Sequence, residues 1–276
     1  MLRRNTEKAH KYSEDLFDHY FIYDLQGLLR EDDQYNCGIE SYSVDKEGDI
    51  DFGFIENSRE DLARLRFCDL LDIPYYNLVT INSTHMFHLY QIKLKDGMSN
   101  DLIAEFKQKM NEEELVNWWR SMQSFTQKKA MYDAKKRIET SLLDEILFAN
   151  SLAWGINIDG FYLDRQEKYI QFIVEKRVGT YKDNYSVDNY NPNKFFHGTN
   201  TRTGDFASWN ILFQISKKFE CPLLLMTFDT NTQINKMGVT RIMDVSETSG
   251  LSYVANIKLF EEISKEQHAY IKSLLE

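Results

Sequence analysis

Proline is nearly missing from this chain: three residues in 276, at Pro74, Pro192 and Pro222. So few breakers leave long stretches free to form helix or strand. Cysteine is equally scarce. Cys37, Cys68 and Cys221 form no C-x-x-C pair, which excludes the common zinc spacings. Cys68 and Cys221 sit inside apolar runs and read as buried thiols. An odd cysteine count behind no signal-peptide pattern predicts a reducing, cytoplasmic setting. No apolar run approaches the roughly 18–20 residues that cross a bilayer, so no membrane partner is expected. A Gly-rich phosphate loop and a G-x-S-x-G elbow are also missing, which argues against a P-loop ATPase and a nucleophile-elbow hydrolase.

Aromatic residues are plentiful, with 18 Phe and 16 Tyr, and the apolar share is 42%. That is enough to bury a sizeable core, and it excludes a disordered chain. The length fits one large domain or two modest ones. The net charge of −10 is unevenly spread. Residues 1–125 hold 14 basic and 24 acidic side chains, whereas residues 126–276 hold 19 of each. The whole acid excess lies in the first part, and the second is free to build basic surfaces around an acidic site.

Along the chain, residues 6–30 read as one or two helices, with Leu16, Phe17, Tyr20, Phe21 and Leu25 near helical spacing. A hairpin of Ile39–Val44 and Asp49–Glu56 follows, the second strand alternating Ile50, Phe52 and Phe54 with polar or small residues. Residues 59–71 read as a helix and Tyr75–Ile81 as a buried strand. Residues 99–152 read as mostly helical, with a basic run at 128–137 and a final helix striped by Ile138, Leu142, Ile146, Ala149 and Ala153. Strands are predicted from Asp159 to Asp164 and from Tyr169 to Val178, on either side of a charged turn. A loop over 179–204, a helix over 205–219, strands at 223–228 and 239–245 and a terminal helix over 264–275 complete the chain. His85 and His88 read as ordinary strand or loop residues.

The order helix, hairpin, helix, strand occurs twice, and each occurrence reaches its last strand through Ile-Pro or Cys-Pro. Such an order fits an internal repeat, in which Glu56 corresponds to Glu175; it also arises by chance in αβ chains. In the first half, Asp49, Asp51 and Glu56 are candidates for a second metal site, or the lobe is a non-catalytic relative, or it is unrelated. Ser58 stands there where Arg177 stands in the second half.

The chemistry-bearing pattern is in the second half. Hydrolysis of a phosphodiester by a bound metal needs carboxylates that converge on the ion and a cation that offsets developing charge. A hairpin with one acid early in its first strand and the other late in its return strand brings both to one end of a sheet. Asp159 and Glu175 fit that layout, and alternation puts Glu175 and Arg177 on one face and Lys176 on the other. The stretch SLLDEILFANSLAWGINIDGFYLD followed by YIQFIVEKRV resembles the PD-(D/E)XK nucleases. These carry an acid on a helix, an Asp opening a hairpin and E-x-K on the next strand, then a helix and a buried strand. The resemblance spans residues 138–229, about a third of the chain.

The resemblance implies an α/β (α+β) fold: a central mixed β-sheet flanked by helices, with a restriction-endonuclease-like core in the C-terminal half. A related, degenerate lobe in the N-terminal half follows if the repeat holds. The division expected is 1–98 as an acidic αβ lobe, 99–137 as a helical connector and 138–276 as the nuclease-like domain. The implied activity is a Mg²⁺-dependent endodeoxyribonuclease of restriction type, with Mn²⁺ as substitute metal and DNA as substrate. It acts as a homodimer or, with two fused lobes, as a monomer. Asp159 and Glu175 would hold the metal. The family's Lys is Arg177 here, which stays protonated and cannot act as a base. Lys168 could supply an ammonium from an offset position, and the helical acid is Glu139 or Glu145, with Glu145 nearer to Asp159. In the 179–204 loop, Lys182, Lys194, His197, Asn200 and Arg202 are candidate nucleic-acid contacts. The alternative is a catalytically degenerate module of the same fold that binds nucleic acid or a protein.

Overall fold

A computed structural model of the chain describes residues 3–4, 11–56, 58–95, 100–124, 141–179, 187, 190–194, 196–198, 204–229, 236–254, 258–260 and 265–275. The architecture is mixed α/β, with strands in both parallel and antiparallel pairs and helices packed against them. Among the described residues no helix is long and apolar enough to cross a membrane.

The chain divides into two compact units. The first comprises residues 1–7 with 25–157, and the second residues 8–24 with 158–276. These bounds differ from those read off the sequence, because each unit takes a helix from the other side of the division. Helix α1 (Lys11–Tyr20) belongs to the second unit. There Leu16, Phe17, Tyr20 and Ile22 are buried with Phe172, Val174, Leu224 and Met226.

In the first unit, β1 (Arg3–Arg4) pairs with the far end of β3 (Gln34–Val44), and β2 (Tyr23–Glu31) forms the antiparallel hairpin with β3. A 3₁₀ turn (Glu47–Asp49) and the short α2 (Gly53–Glu56) follow. Helix α3 (Arg59–Leu71) then leads to β4 (Tyr75–Ile81), which runs parallel to β3. Strands β5 (Met86–Leu94) and β6 (Leu102–Met110) extend the sheet antiparallel. Helices α4 (Glu112–Met122) and α5 (Leu142–Ala149) cover one face, burying Trp119, Leu143, Ile146 and Leu147 against Leu29, Ile39 and Leu78. Both begin with capping boxes, Asn111 with Glu114 and Ser141 with Asp144, which satisfy backbone N–H groups that a helix start leaves open.

The second unit repeats this order. Strands β7 (Ile156–Leu163) and β8 (Ile170–Gly179) form the hairpin. Helix α6 (Phe206–Lys218) leads to β9 (Leu223–Asp229), parallel to β8. Strands β10 (Met237–Ser246) and β11 (Gly250–Tyr253) follow antiparallel, β12 (Lys258–Phe260) also pairs with β10, and α7 (Lys265–Leu275) closes the chain.

Four sequence expectations change. Residues 23–31 are a strand rather than helix. Residues 49–56 are a turn and a helical turn rather than the second hairpin strand. There the Asp51 carboxylate accepts from the Gly53 backbone N–H at 2.9 Å, the local bonding by which aspartates compete with a ladder. Residues 102–110 are a strand whose alternating polar side chains face solvent at the sheet edge, a pattern that also suits a solvated helix. The buried face of α5 is Leu143, Ile146 and Leu147, while Leu142 is half-buried and Ala149 exposed. The basic run 128–137 and Ile138 lie outside the described residues.

Candidate functional site

The hairpin register puts the two candidate carboxylates side by side. Gly160 pairs with Val174; continued by one position, that register sets Asp159 opposite Glu175 on the same face, and Asp159 is close enough to act on the Glu175 charge. The Lys176 backbone N–H donates to Asp159 Oδ2 at 2.7 Å, which fixes the Asp159 carboxylate against β8. The Lys176 side chain leaves by the other face, with Nζ 5.6 Å from the centre of the Phe17 ring.

Arg177 shares the carboxylate face. Its Nη2 is 2.7 Å from Glu175 Oε1 and 3.1 Å from Asp205 Oδ2. Asp205 precedes α6 and makes no capping bond with its own helix; it orients Arg177 instead. The guanidinium also lies 6.0 Å from the centre of the Trp209 ring, a cation–π distance. Neither Asp205 nor Trp209 was singled out from sequence. Their signal was weak: an acid and an aromatic at a helix start are common, and only the fold brings that start to β8.

The electrostatics are those of crowded acids. Burial pushes the Glu175 pKa up to about 8; Arg177 opposes this, while Asp159 and Asp205 reinforce it. Asp159 is likewise raised, first by burial, against the Lys176 N–H bond and the charges of Arg177 and Lys176. The Arg177 pKa moves up, chiefly because Glu175 stands beside it. Glu175 is buried, Asp159 is half-buried, and the pKa of each is raised, so added positive charge is stabilising there.

The donor set suits a hard cation. Mg²⁺ binds through one or two carboxylates and fills its remaining positions with water and phosphate oxygens, and Asp159 and Glu175 are such a pair. Among the described residues no group of three or more His, Cys, Asp or Glu gathers as a metal site, so these two would be the protein's carboxylate contribution. Glu175 already engages Arg177, and an incoming ion would share it.

Other expected site residues fall elsewhere. Lys168 is exposed in the hairpin turn, where its backbone N–H bonds to Asp164 Oδ1. The turn is the opposite end of β7 from Asp159, roughly 13 Å along the strand, so Lys168 is not the missing ammonium. Glu145 is exposed on α5, a helix of the first unit, and Glu139 lies outside the described residues. In the 179–204 loop, Lys194 and His197 are exposed, while Lys182, Asn200 and Arg202 lie outside the described residues. Among the described residues of this stretch, Asn193 accepts from Leu251 N at 2.6 Å and donates to Leu251 O at 3.1 Å, and Phe196 is buried against Phe206. Asp49, Asp51 and Glu56 are exposed, and Glu56 ends a helical turn rather than a hairpin strand. Cys37 and Cys68 are buried, and burial lifts the Cys37 thiol to about 12.

No family model, no curated protein and no solved structure matches the chain.

Proposed function

We propose that the second unit is a metal-dependent endodeoxyribonuclease that hydrolyses DNA phosphodiester bonds, using Mg²⁺ or Mn²⁺. The observation that carries this reading is the cross-strand placement of Asp159 and Glu175 on one face, with Arg177 beside them. The succession of hairpin, helix and parallel strand around them is that of the PD-(D/E)XK nucleases which the sequence resembles. Asp159 and Glu175 would hold the ion. When bound, the ion supplies polarisation of the phosphate and a more acidic water. The residues of the chain do the rest. The Lys176 N–H keeps Asp159 aimed, and Asp205 keeps Arg177 on the face where a scissile phosphate would sit. Arg177 offsets charge there without giving up its proton.

The test is cleavage of plasmid and linear DNA by the purified chain. Cutting is expected with Mg²⁺ or Mn²⁺ and not with EDTA. Asp159→Ala and Glu175→Ala are each expected to lower the rate by about a thousandfold or more, roughly 4 kcal/mol of barrier. Undiminished cutting by both variants would remove the site assignment. A second reading, a degenerate module of the same fold that binds nucleic acid or a protein, is favoured by the Arg177 bridge between Glu175 and Asp205, since a guanidinium there already supplies the counter-charge. DNA binding in EDTA without cleavage in any metal supports that reading.

A further inference from the structure

The two units can be aligned residue by residue from their hydrogen bonds. Gly38 N donates to Pro74 O at 3.0 Å, and Ile173 N donates to Pro222 O at 3.1 Å. The prolines each follow a helix that ends on a left-handed residue, Asp72 and Glu220. In the parallel pairing Gly38 matches Tyr75 as Ile173 matches Leu223. Counting on, Glu40 in the first unit stands where Glu175 stands in the second. The hairpins agree: Gly27 pairs with Ile39 and Gly160 with Val174, so Gln26 stands where Asp159 stands. Even a side-chain bond is shared. Ser41 N donates to Gln26 Oε1 at 2.8 Å, and Lys176 N to Asp159 Oδ2 at 2.7 Å. The true counterpart of Glu175 is thus Glu40, not Glu56.

What surrounds the two glutamates differs. Glu40 is fully buried. Arg4 Nε lies 2.5 Å from its Oε2, Arg64 Nε 3.5 Å from its Oε1, and the Gln26 N–H bonds to Oε1 at 2.7 Å. Arg64 comes from α3, and its counterpart on α6 is Leu212. Arg64 is itself held by Asp61 at 3.7 Å, which accepts from the Tyr75 hydroxyl at 2.5 Å. Beside Glu40 on β4 is Asn77, whose amide atoms are buried without a hydrogen-bond partner among the described residues.

We infer that the first unit is a second copy of the proposed metal site in which guanidinium groups have taken the place of the metal ion, leaving each chain with one cleavage centre that severs one strand of a duplex. The inference rests on the proposed function for the metal site of the second unit and for its cleavage clause; the alignment of the two units and the guanidinium groups on Glu40 stand apart from it. Replacing the Asp position by Gln removes a ligand charge, and two guanidiniums on Glu40 neutralise what is left. Asn77 is a polar residue retained at the buried centre of a sheet, where an apolar one stands in the second unit, at Leu225.

The decisive measurement is the number of Mn²⁺ ions bound per folded chain, read from the free-ion paramagnetic resonance signal. One is expected for the wild type, one for Glu40→Gln and none for Glu175→Gln. Two are expected for the combined Gln26→Asp, Arg4→Ala, Arg64→Leu variant. Two sites in the wild type, or loss of a site in Glu40→Gln, overturns the inference; so does a folded triple variant that binds no more than the wild type. If the triple variant does not fold, the two glutamate variants still decide. A wild type that binds none beside a triple variant that binds one would keep the inference about the first unit and remove the nuclease reading. With an active, monomeric wild type, supercoiled plasmid should become open circle; linear product appearing at the same rate overturns the single-centre clause.

Discussion

Arg177 is the residue on which the proposed activity turns. Its two carboxylate partners make it a structural cation as well as a candidate for stabilising phosphate charge. Arg177→Ala leaves Glu175 buried beside Asp159 without its guanidinium, and a loss of about 2 kcal/mol is expected in urea unfolding, less than for a fully buried pair because Arg177 is partly exposed. Arg177→Lys restores the E-x-K triplet and is expected to raise the cleavage rate by about tenfold, roughly 1.4 kcal/mol. A fall in rate would show that the guanidinium geometry is itself used. His88 gives a separate test. It is buried on β5, with Nδ1 3.3 Å from the Tyr90 hydroxyl and Glu47 Oε1 3.6 Å from Nε2. Burial lowers its pKa, Glu47 opposes this, and Lys109 adds to it. The folded state therefore binds the proton less well than the unfolded state. The stability it contributes is present above the unfolded value of about 6.5 and is lost as pH falls through that value to the lowered one. Denaturation at pH 7.5 and pH 5 should show a smaller acid loss in His88→Phe than in the wild type. Asp159, Glu175 and Arg177 were legible as a set because residue type and two-residue alternation determine which side chains share a strand face. Asp205 was not, because its role depends on where α6 begins in space.

At the scale of elements, the close approach of α1 to β7 and β8 depends on Gly160. A Cβ there would come within 2.9 Å of Ile22 Cγ2, 3.0 Å of Phe17 Cε2 and 3.2 Å of Val174 Cβ. Gly160→Ala should cost about 1–3 kcal/mol by overpacking, read as a lower urea midpoint, and should disturb Asp159 next to it. Removing the caps is milder: Asn111→Ala and Ser141→Ala should each lower stability by about 1 kcal/mol. Helix α3, helix α6 and strands β4, β8 and β9 were readable from the sequence, since each is a run with one period between clear ends. Strands β2 and β6 were not. In β2 the leucines of DLQGLLR satisfy a helical spacing as well as a strand's. In β6 the polar residues of an edge strand carry no apolar alternation to mark it.

At the scale of the molecule, α1 decides which fragments can fold. The span 138–276, the domain suggested by the sequence, omits Leu16, Phe17, Tyr20 and Ile22 from the core of the second unit. Losing four buried side chains at about 1.5–3 kcal/mol each removes as much as the whole stability of an ordinary domain. That fragment should therefore lack a cooperative thermal transition, and adding residues 8–24 as a separate peptide should restore one. A well-folded 138–276 fragment would contradict the membership of α1. By itself the sequence determined part of the local structure: helices α3 and α6, strands β4, β8 and β9, where the paired acids lie, and that an order of elements occurs twice. Only the tertiary structure decided the alignment of the two units, the exchange of α1 and α5 between them, and Glu40 rather than Glu56 as the partner of Glu175. The physical reason is that strand register and helix packing are set by contacts between residues far apart in the chain, which no local period records.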